Sequence, residues 1–236
     1  AGAMGMGISL DSLNKEKHNQ LRKYPRAWEE AVAGMRNCRE VGLPFQIHTT
    51  VMDWNSSELE EITDFAVAEG AVAHHFFFLV PTGRAVSIEE ESLRAEEYEE
   101  VLTRIMKKQQ EVEIELKPTC APQFMRIAKE MGVNTRFSRG CLAGTSYCII
   151  SPKGQVQLCA YLNIPLGDVR ETPFHELWQN HPVLKELRTL NYKGGCGTCG
   201  YKNVCGGCRA RAAFYEEGDY MAEEPWCLYH GRRGIK

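Results

Sequence analysis

No apolar run in this 236-residue chain approaches the roughly 20 residues that span a bilayer. Phe76-Phe77-Phe78-Leu79-Val80 is far too short and reads as a buried strand, so no membrane association is expected. Strong charge of either sign is also missing. Lys and Arg number 28 against 31 Asp and Glu, a net charge of −3, so nothing in the balance asks for nucleic acid or an anionic surface. The basic end (Arg232, Arg233, Lys236) is short enough to be a solvated tail. No secretory signal pattern, internal repeat or low-complexity segment is visible, and a cytoplasmic location is expected.

Cysteine is abundant instead. Dense disulfides are the remedy of small secreted domains that lack a core, whereas this chain is long enough to build one. Its C-x-x-C pairs are spaced for metal, which points to a reducing compartment. Eight of the ten cysteines fall in one array: Cys141, Cys148, Cys159, Cys196, Cys199, Cys205, Cys208 and Cys227. Four thiolates hold one cubane iron–sulfur cluster, so eight suffice for two. Cys196, Cys199, Cys205 and Cys208 alone would also suit an all-cysteine structural zinc site. That reading leaves the other four idle, and the full array favours iron–sulfur. A zinc-bound or electron-transfer module is the non-enzymatic alternative.

Residues 1–132 alternate strand and helix. Gly7–Asp11 reads as a short buried strand. Trp28, Val32, Met35 and Cys38 share a helical face, with Cys38 in the core. Phe45–Met52 is β-rich. Ser57-x-x-Glu60 predicts a capping box, with Leu59, Ile62 and Phe65 facing inward and Gly70 ending that helix. Val72–Val80 is the next strand, 94–109 an acidic helix burying Tyr98, Leu102 and Ile105, and 112–117 a further strand. Pro122 opens a helix ending near Gly132. Repeated strand–helix units imply parallel strands in an α/β fold. Three such units make half a barrel, and the chain opens on a buried strand, so upstream strands are expected. Residues 133–236 form a second, cysteine-rich region. It has a hairpin about Pro152-Lys153-Gly154, helical stretches near 173–179 and 182–190, and a cysteine knuckle at 196–208.

Gly154-x4-Cys159, followed by Cys196-x2-Cys199-x5-Cys205-x2-Cys208 and Cys227, resembles the SPASM extension of radical S-adenosylmethionine (SAM) enzymes. That pattern usually carries three residues between the last two knuckle cysteines, where this chain has two. The resemblance implies the second half of a partial (β/α)6 TIM-like radical SAM barrel, followed by a SPASM or twitch extension with one or two auxiliary [4Fe–4S] clusters. It also implies two ligand sets: Cys141, Cys148, Cys159 and Cys208, and Cys196, Cys199, Cys205 and Cys227. Segments 71–85, 117–128, 140–162 and 205–227 are similar to the radical SAM enzymes of alternative heme biosynthesis. The resemblance then implies oxidative decarboxylation of two propionates of iron-coproporphyrin III to vinyls, giving heme b. The alternatives are the related heme d1 chemistry and a SPASM peptide-modifying maturase. No CxxxCxxC spacing for a SAM-binding cluster occurs in these residues, so the fragment alone is expected to be inactive while the full-length enzyme uses SAM and a further [4Fe–4S] cluster.

By the same resemblance, Ser9, Asp11, Thr50 and Leu79 would lie near SAM. Arg84, just after the sixth barrel strand, is the best-placed cation for a propionate, because a planar guanidinium matches a carboxylate. Arg126, Arg209 and Arg211 are weaker candidates that read as surface ion pairs. His74 and His75 point to opposite faces of their strand, and His75 is taken as the substrate contact. His48 is ambiguous in the same way, and Cys120 reads as structural. The expected partners are an iron-porphyrin and a reductant such as flavodoxin or ferredoxin.

Overall fold

The computed structural model describes residues 2–229, except the side chain of Arg84. The basic end lies outside them. The chain divides into two compact units.

The first unit holds β1 (Met6–Ser9), β2 (Phe45–Val51), β3 (Ala73–Phe78) and β4 (Glu115–Thr119). They form one parallel sheet in the order β1-β2-β3-β4. In β2 the burial alternates strictly. Phe45, Ile47, Thr49 and Val51 face the helices, while Gln46, His48 and Thr50 face the other way, as a two-residue repeat requires. The helices are α1 (Lys15–Arg22), α2 (Ala27–Glu40), α3 (Leu59–Glu69) and α4 (Ala95–Gln109). Leu10, Met35, Cys38, Phe45, Ile47, Ile62 and Ala66 close the core on that face. Burying each of the larger side chains contributes about 1.5–3 kcal/mol.

Three expectations fail locally. The helix α1 was not expected, because its sequence KEKHNQLR carries almost no apolar periodicity. It is defined by its ends and by one buried residue, His18. Asn14 accepts from Lys17 N (3.0 Å), and Lys23 closes the helix in the left-handed region. The Ser57 capping box is absent. A 3-10 turn runs through Asp53–Glu58, Glu58 is the N-cap, and Glu60 pairs with Arg104 Nε of α4 (2.6 Å). The fourth strand lies later than 112–117. Gln109 holds the lead-in by accepting from Leu116 N (2.8 Å) and donating to Ile114 O (3.1 Å). Pro118 is tolerated because β4 is at the sheet edge.

The second unit contains the antiparallel sheet β5 (Ile149–Ile150), β6 (Gln155–Cys159) and β7 (Leu162–Asp168). The expected hairpin joins β5 to β6, with Gly154 at φ 81°, and β7 adds a strand the sequence did not announce. The helices α5 (Phe124–Met131), α6 (Phe174–Asn180), α7 (Pro182–Thr189), α8 (Gly194–Thr198) and α9 (Arg209–Tyr215) complete the list of regular helices among the described residues. The division is not the expected single cut at 132/133. Val80–Glu89 and Ala121–Arg126 group with the second unit, and Ile127–Asn134 with the first. No helix among the described residues is long and apolar enough to cross a membrane.

Candidate functional site

In the first unit, Ser9, His48, His75 and Lys117 stand in register across all four strands on the sheet face opposite the helical core. The His48 and His75 rings stack with centroids 5.5 Å apart and planes 7° from parallel. Gln46 Nε2 donates to His48 Nε2 (2.7 Å), which leaves the proton of the neutral ring on Nδ1. His75 Nε2 lies 3.4 Å from Glu115 Oε1. Burial, then the positive Arg22, lowers the His48 pKa. Burial and Lys117 likewise lower that of His75, against the pull of Glu115. The pair is therefore held as neutral imidazoles.

His74 faces the core. It is fully buried, lying 2.7 Å from Thr49 Oγ1 and 2.9 Å from Thr63 Oγ1. Burial drives its pKa down to about 3. The adjacent histidines thus have separate jobs, with His74 as packing and His75 on the open face.

The residues expected near SAM are placed unevenly. Ser9 and Thr50 are partly exposed on the open face, and Leu79 is buried just past β3. Asp11 lies deeper. It has no exposed surface, and its carboxylate is committed to Arg22 Nε (2.6 Å), Arg22 Nη2 (2.9 Å) and Thr50 N (2.9 Å), with His18 Nδ1 at 3.3 Å. Burial raises its pKa, but these partners outweigh it and the net shift is downward. Asp11 therefore braces the strand ends. Arg84 falls in a 3-10 stretch, and its side chain lies outside the described residues. Cys120 follows β4 in the left-handed region, at φ 61°.

In the second unit seven of the eight array cysteines fall into two groups. Cys196, Cys199, Cys205 and Cys227 line one cleft enclosing about 330 Å³, part of it open to solvent. Gly206 (φ 75°) and Gly207 (φ 65°) turn the chain there. Backbone N–H groups point at sulfur: Tyr201 N at Cys199 Sγ, Gly207 N at Cys205 Sγ and Glu224 N at Cys196 Sγ, each 3.4 Å. Burial raises the Cys205 thiol pKa and pushes that of Cys227 up to about 12. Around Cys141, the neighbouring thiols are Cys208 and Cys159, and burial pushes Cys141 up to about 12. Cys159 is raised by burial and by Cys208. Cys148 is raised by burial alone.

The sequence did not reveal what lies against these groups. Arg211 and Glu224 form a buried ion pair at 3.2 Å, and Glu224 Oε2 accepts from Cys208 N (2.5 Å). Arg211 also lies over the Trp226 ring, 4.1 Å from its centroid. Arg209 is equally buried, so neither arginine is a surface ion pair or an open carboxylate clamp. Arg126, also buried, lines the cleft beside Tyr229.

None of the ten cysteines is in a disulfide. No three Cys, His, Asp or Glu among the described residues converge tightly enough for a single metal ion. The donor set itself suits iron–sulfur clusters. It consists wholly of soft thiols, with N–H groups aimed at sulfur, and a cubane spreads its four ligands over four irons.

Residues 141–209 match the SPASM family model, an iron–sulfur cluster-binding domain. Among solved structures, Streptococcus suis SuiB bound to its precursor peptide SuiA superposes with a TM-score of 0.70 at 16% identity, covering 94% of this chain and 53% of that one. The enzyme anSMEcpe with bound AdoMet superposes at 0.67 and 15% identity, covering 97% and 65%. These likenesses show the fold, a parallel α/β half-barrel followed in the chain by a cysteine-rich unit. The AdoMet-dependent heme synthase of Methanosarcina barkeri is 42% identical over 97% of this chain and 68% of its own length. That of Nitratidesulfovibrio vulgaris is 43% identical over 99% and 67%. The pre-heme d1 synthase of Dinoroseobacter shibae is 28% identical over 94% and 60%. The chain thus spans about two thirds of the heme synthases it matches and about half of SuiB. With that identity over almost all of its residues, it belongs to the AdoMet-dependent heme synthase family of radical SAM enzymes.

Proposed function

We propose that the protein carrying this chain makes heme by oxidative decarboxylation of iron-coproporphyrin III. The observation that carries the reading is identity above 40% to heme synthases along nearly the whole chain, joined to the iron–sulfur domain match and four thiols lining one cleft. SAM and its reduced cluster, when bound, would supply the radical chemistry by which each propionate loses a hydrogen atom, carbon dioxide and one electron to become a vinyl group. The protein's share is position and electrostatics.

In this reading Ser9, Thr50 and Leu79 hold SAM, and Asp11 fixes the strand ends that present them. His75, kept neutral beside His48, meets the porphyrin, and Arg84 takes a propionate. The two cysteine groups hold auxiliary [4Fe–4S] clusters, which could accept the departing electron, and a flavodoxin- or ferredoxin-type reductant supplies electrons. The test adds iron-coproporphyrin III to the full-length protein, anaerobically reconstituted, with SAM and reductant. A shifted Soret band and a divinyl product are expected. With no shift and no vinyl product, the heme assignment falls. Zinc without labile sulfide would remove the cluster assignment as well.

A further inference from the structure

Arg209 opens α9 directly after Cys208, and its side chain is 3% exposed. Nη1 donates to Ala222 O (2.5 Å) and Tyr220 O (3.1 Å), and Nη2 donates to Cys196 Sγ (3.7 Å). Nε is buried without a hydrogen-bond partner. The guanidinium lies over the Tyr192 ring, 4.5 Å from its centroid, and the Tyr192 hydroxyl is held by Arg139 Nη2 (3.2 Å). Carbonyls and a ring orient this cation without cancelling its charge. The nearby buried carboxylate, Glu224, pairs with Arg211. A buried charge held this way is costly unless negative charge arrives to meet it.

Both cysteine groups feel it. Cys196 in the cleft accepts its hydrogen bond. In the other group, Arg209 is joined directly to Cys208, the N-cap residue of α9. A [4Fe–4S]2+ cluster with four thiolates carries a formal charge of −2, and one-electron reduction makes it −3. A fixed cation beside both groups stabilises each reduced form, and hydrogen bonds to sulfur act in the same direction.

We propose that Arg209 is a positioning residue shared by the two cysteine groups: one buried guanidinium that raises the reduction potential of the cluster held by each. The inference rests on the reading that both groups hold [4Fe–4S] clusters.

The test is an EPR-monitored redox titration with dithionite, alongside iron and sulfide counts, on the reconstituted wild type and on Arg209→Gln and Arg209→Lys. Arg209→Gln is expected to keep its iron and to weaken reduction of both clusters about tenfold, a 59 mV drop for a one-electron couple. Arg209→Lys keeps the charge but loses the planar fork, so both potentials should fall by less. If Arg209→Gln sheds its iron, Arg209→Lys must still move both potentials. Unchanged potentials in an iron-replete variant overturn the proposal. A shift confined to the cluster held by Cys196 overturns the shared role, since only the local hydrogen bond would then matter. Fewer than two clusters in the wild type overturns the underlying two-cluster reading, a failure the iron count shows before any variant is made.

Discussion

Arg211 Nη1 stands 3.2 Å from Glu224 Oε1, and neither side chain reaches solvent to any useful extent. Removing one partner strands the other charge in the interior. Arg211→Ala should cost about 3–5 kcal/mol. Arg211→Met with Glu224→Gln should cost less than the sum of the single changes, because no bare charge remains. Glu224→Gln alone should be milder than Glu224→Ala, since its amide oxygen can still accept from Cys208 N. Urea midpoints of the reconstituted protein check the series. An Arg211→Ala midpoint equal to the wild type would show that the pair does not brace this region.

His74 gives a pH dependence of definite sign. The folded protein holds it neutral, with a pKa of about 3 against 6.5 for the free side chain. Below about pH 6.5 the unfolded chain takes up a proton that the folded one refuses. Stability from this group is therefore present at neutral pH and lost as pH falls, at about 1.4 kcal/mol per pH unit. His74→Asn should lower stability at pH 7.5 yet flatten the loss between pH 6.5 and 5.5. Parallel slopes in the two proteins would rule His74 out as the source.

The cysteine groups predict separate losses of iron. Cys205→Ser should weaken the cluster of the cleft, and Cys141→Ser that of the other group, each removing about half of the iron and sulfide held outside the SAM-binding cluster. Combining Cys205→Ser with Cys227→Ser should add little to either alone, whereas Cys205→Ser with Cys141→Ser should remove nearly all of that share. Iron and sulfide analysis reads each outcome. If the Cys205 and Cys141 changes are not additive, the eight thiols serve one centre.

Gly207 is a narrow constraint. At φ 65°, a Cβ there would come within 2.5 Å of Arg209 Nη2 and 2.8 Å of Glu224 Cβ. Gly207→Ala should cost about 1–2 kcal/mol for the left-handed backbone alone, with a further loss as Arg209 is displaced. The variant should melt lower and hold less iron than Gly206→Ala, whose Cβ meets nothing nearer than the Tyr192 hydroxyl at 3.1 Å. Equal behaviour of the two variants would remove the special role of Gly207.

The sheet was legible in the sequence because its strands repeat every two residues around a one-sided core. Phe45, Ile47 and Val51 announce their face, and the split of His74 from His75 follows from the same rule. Helix α1 was not legible, since His18 is stabilised by Asp11, seven residues away in sequence, rather than by periodicity. Asp11 is a similar case, because its ion pair with Arg22 lies eleven residues along the chain and is not announced by periodicity. Cysteine spacing carried the metal reading unaided. The arginines beside the cysteines could not be read that way. Arg209 and Arg211 look like any charged pair on a short helix, and only the return of the chain at Tyr220, Ala222 and Glu224 gives them partners.

Cys205 and Cys208 are three residues apart, yet the first neighbours Cys196 and Cys227 while the second neighbours Cys141. Three extended residues reach about 10 Å at most. The Cα atoms of those two cysteines are thus held within that reach by a tether of two glycines, whatever each group holds. The chain itself fixes a member of one group beside a member of the other before any metal arrives.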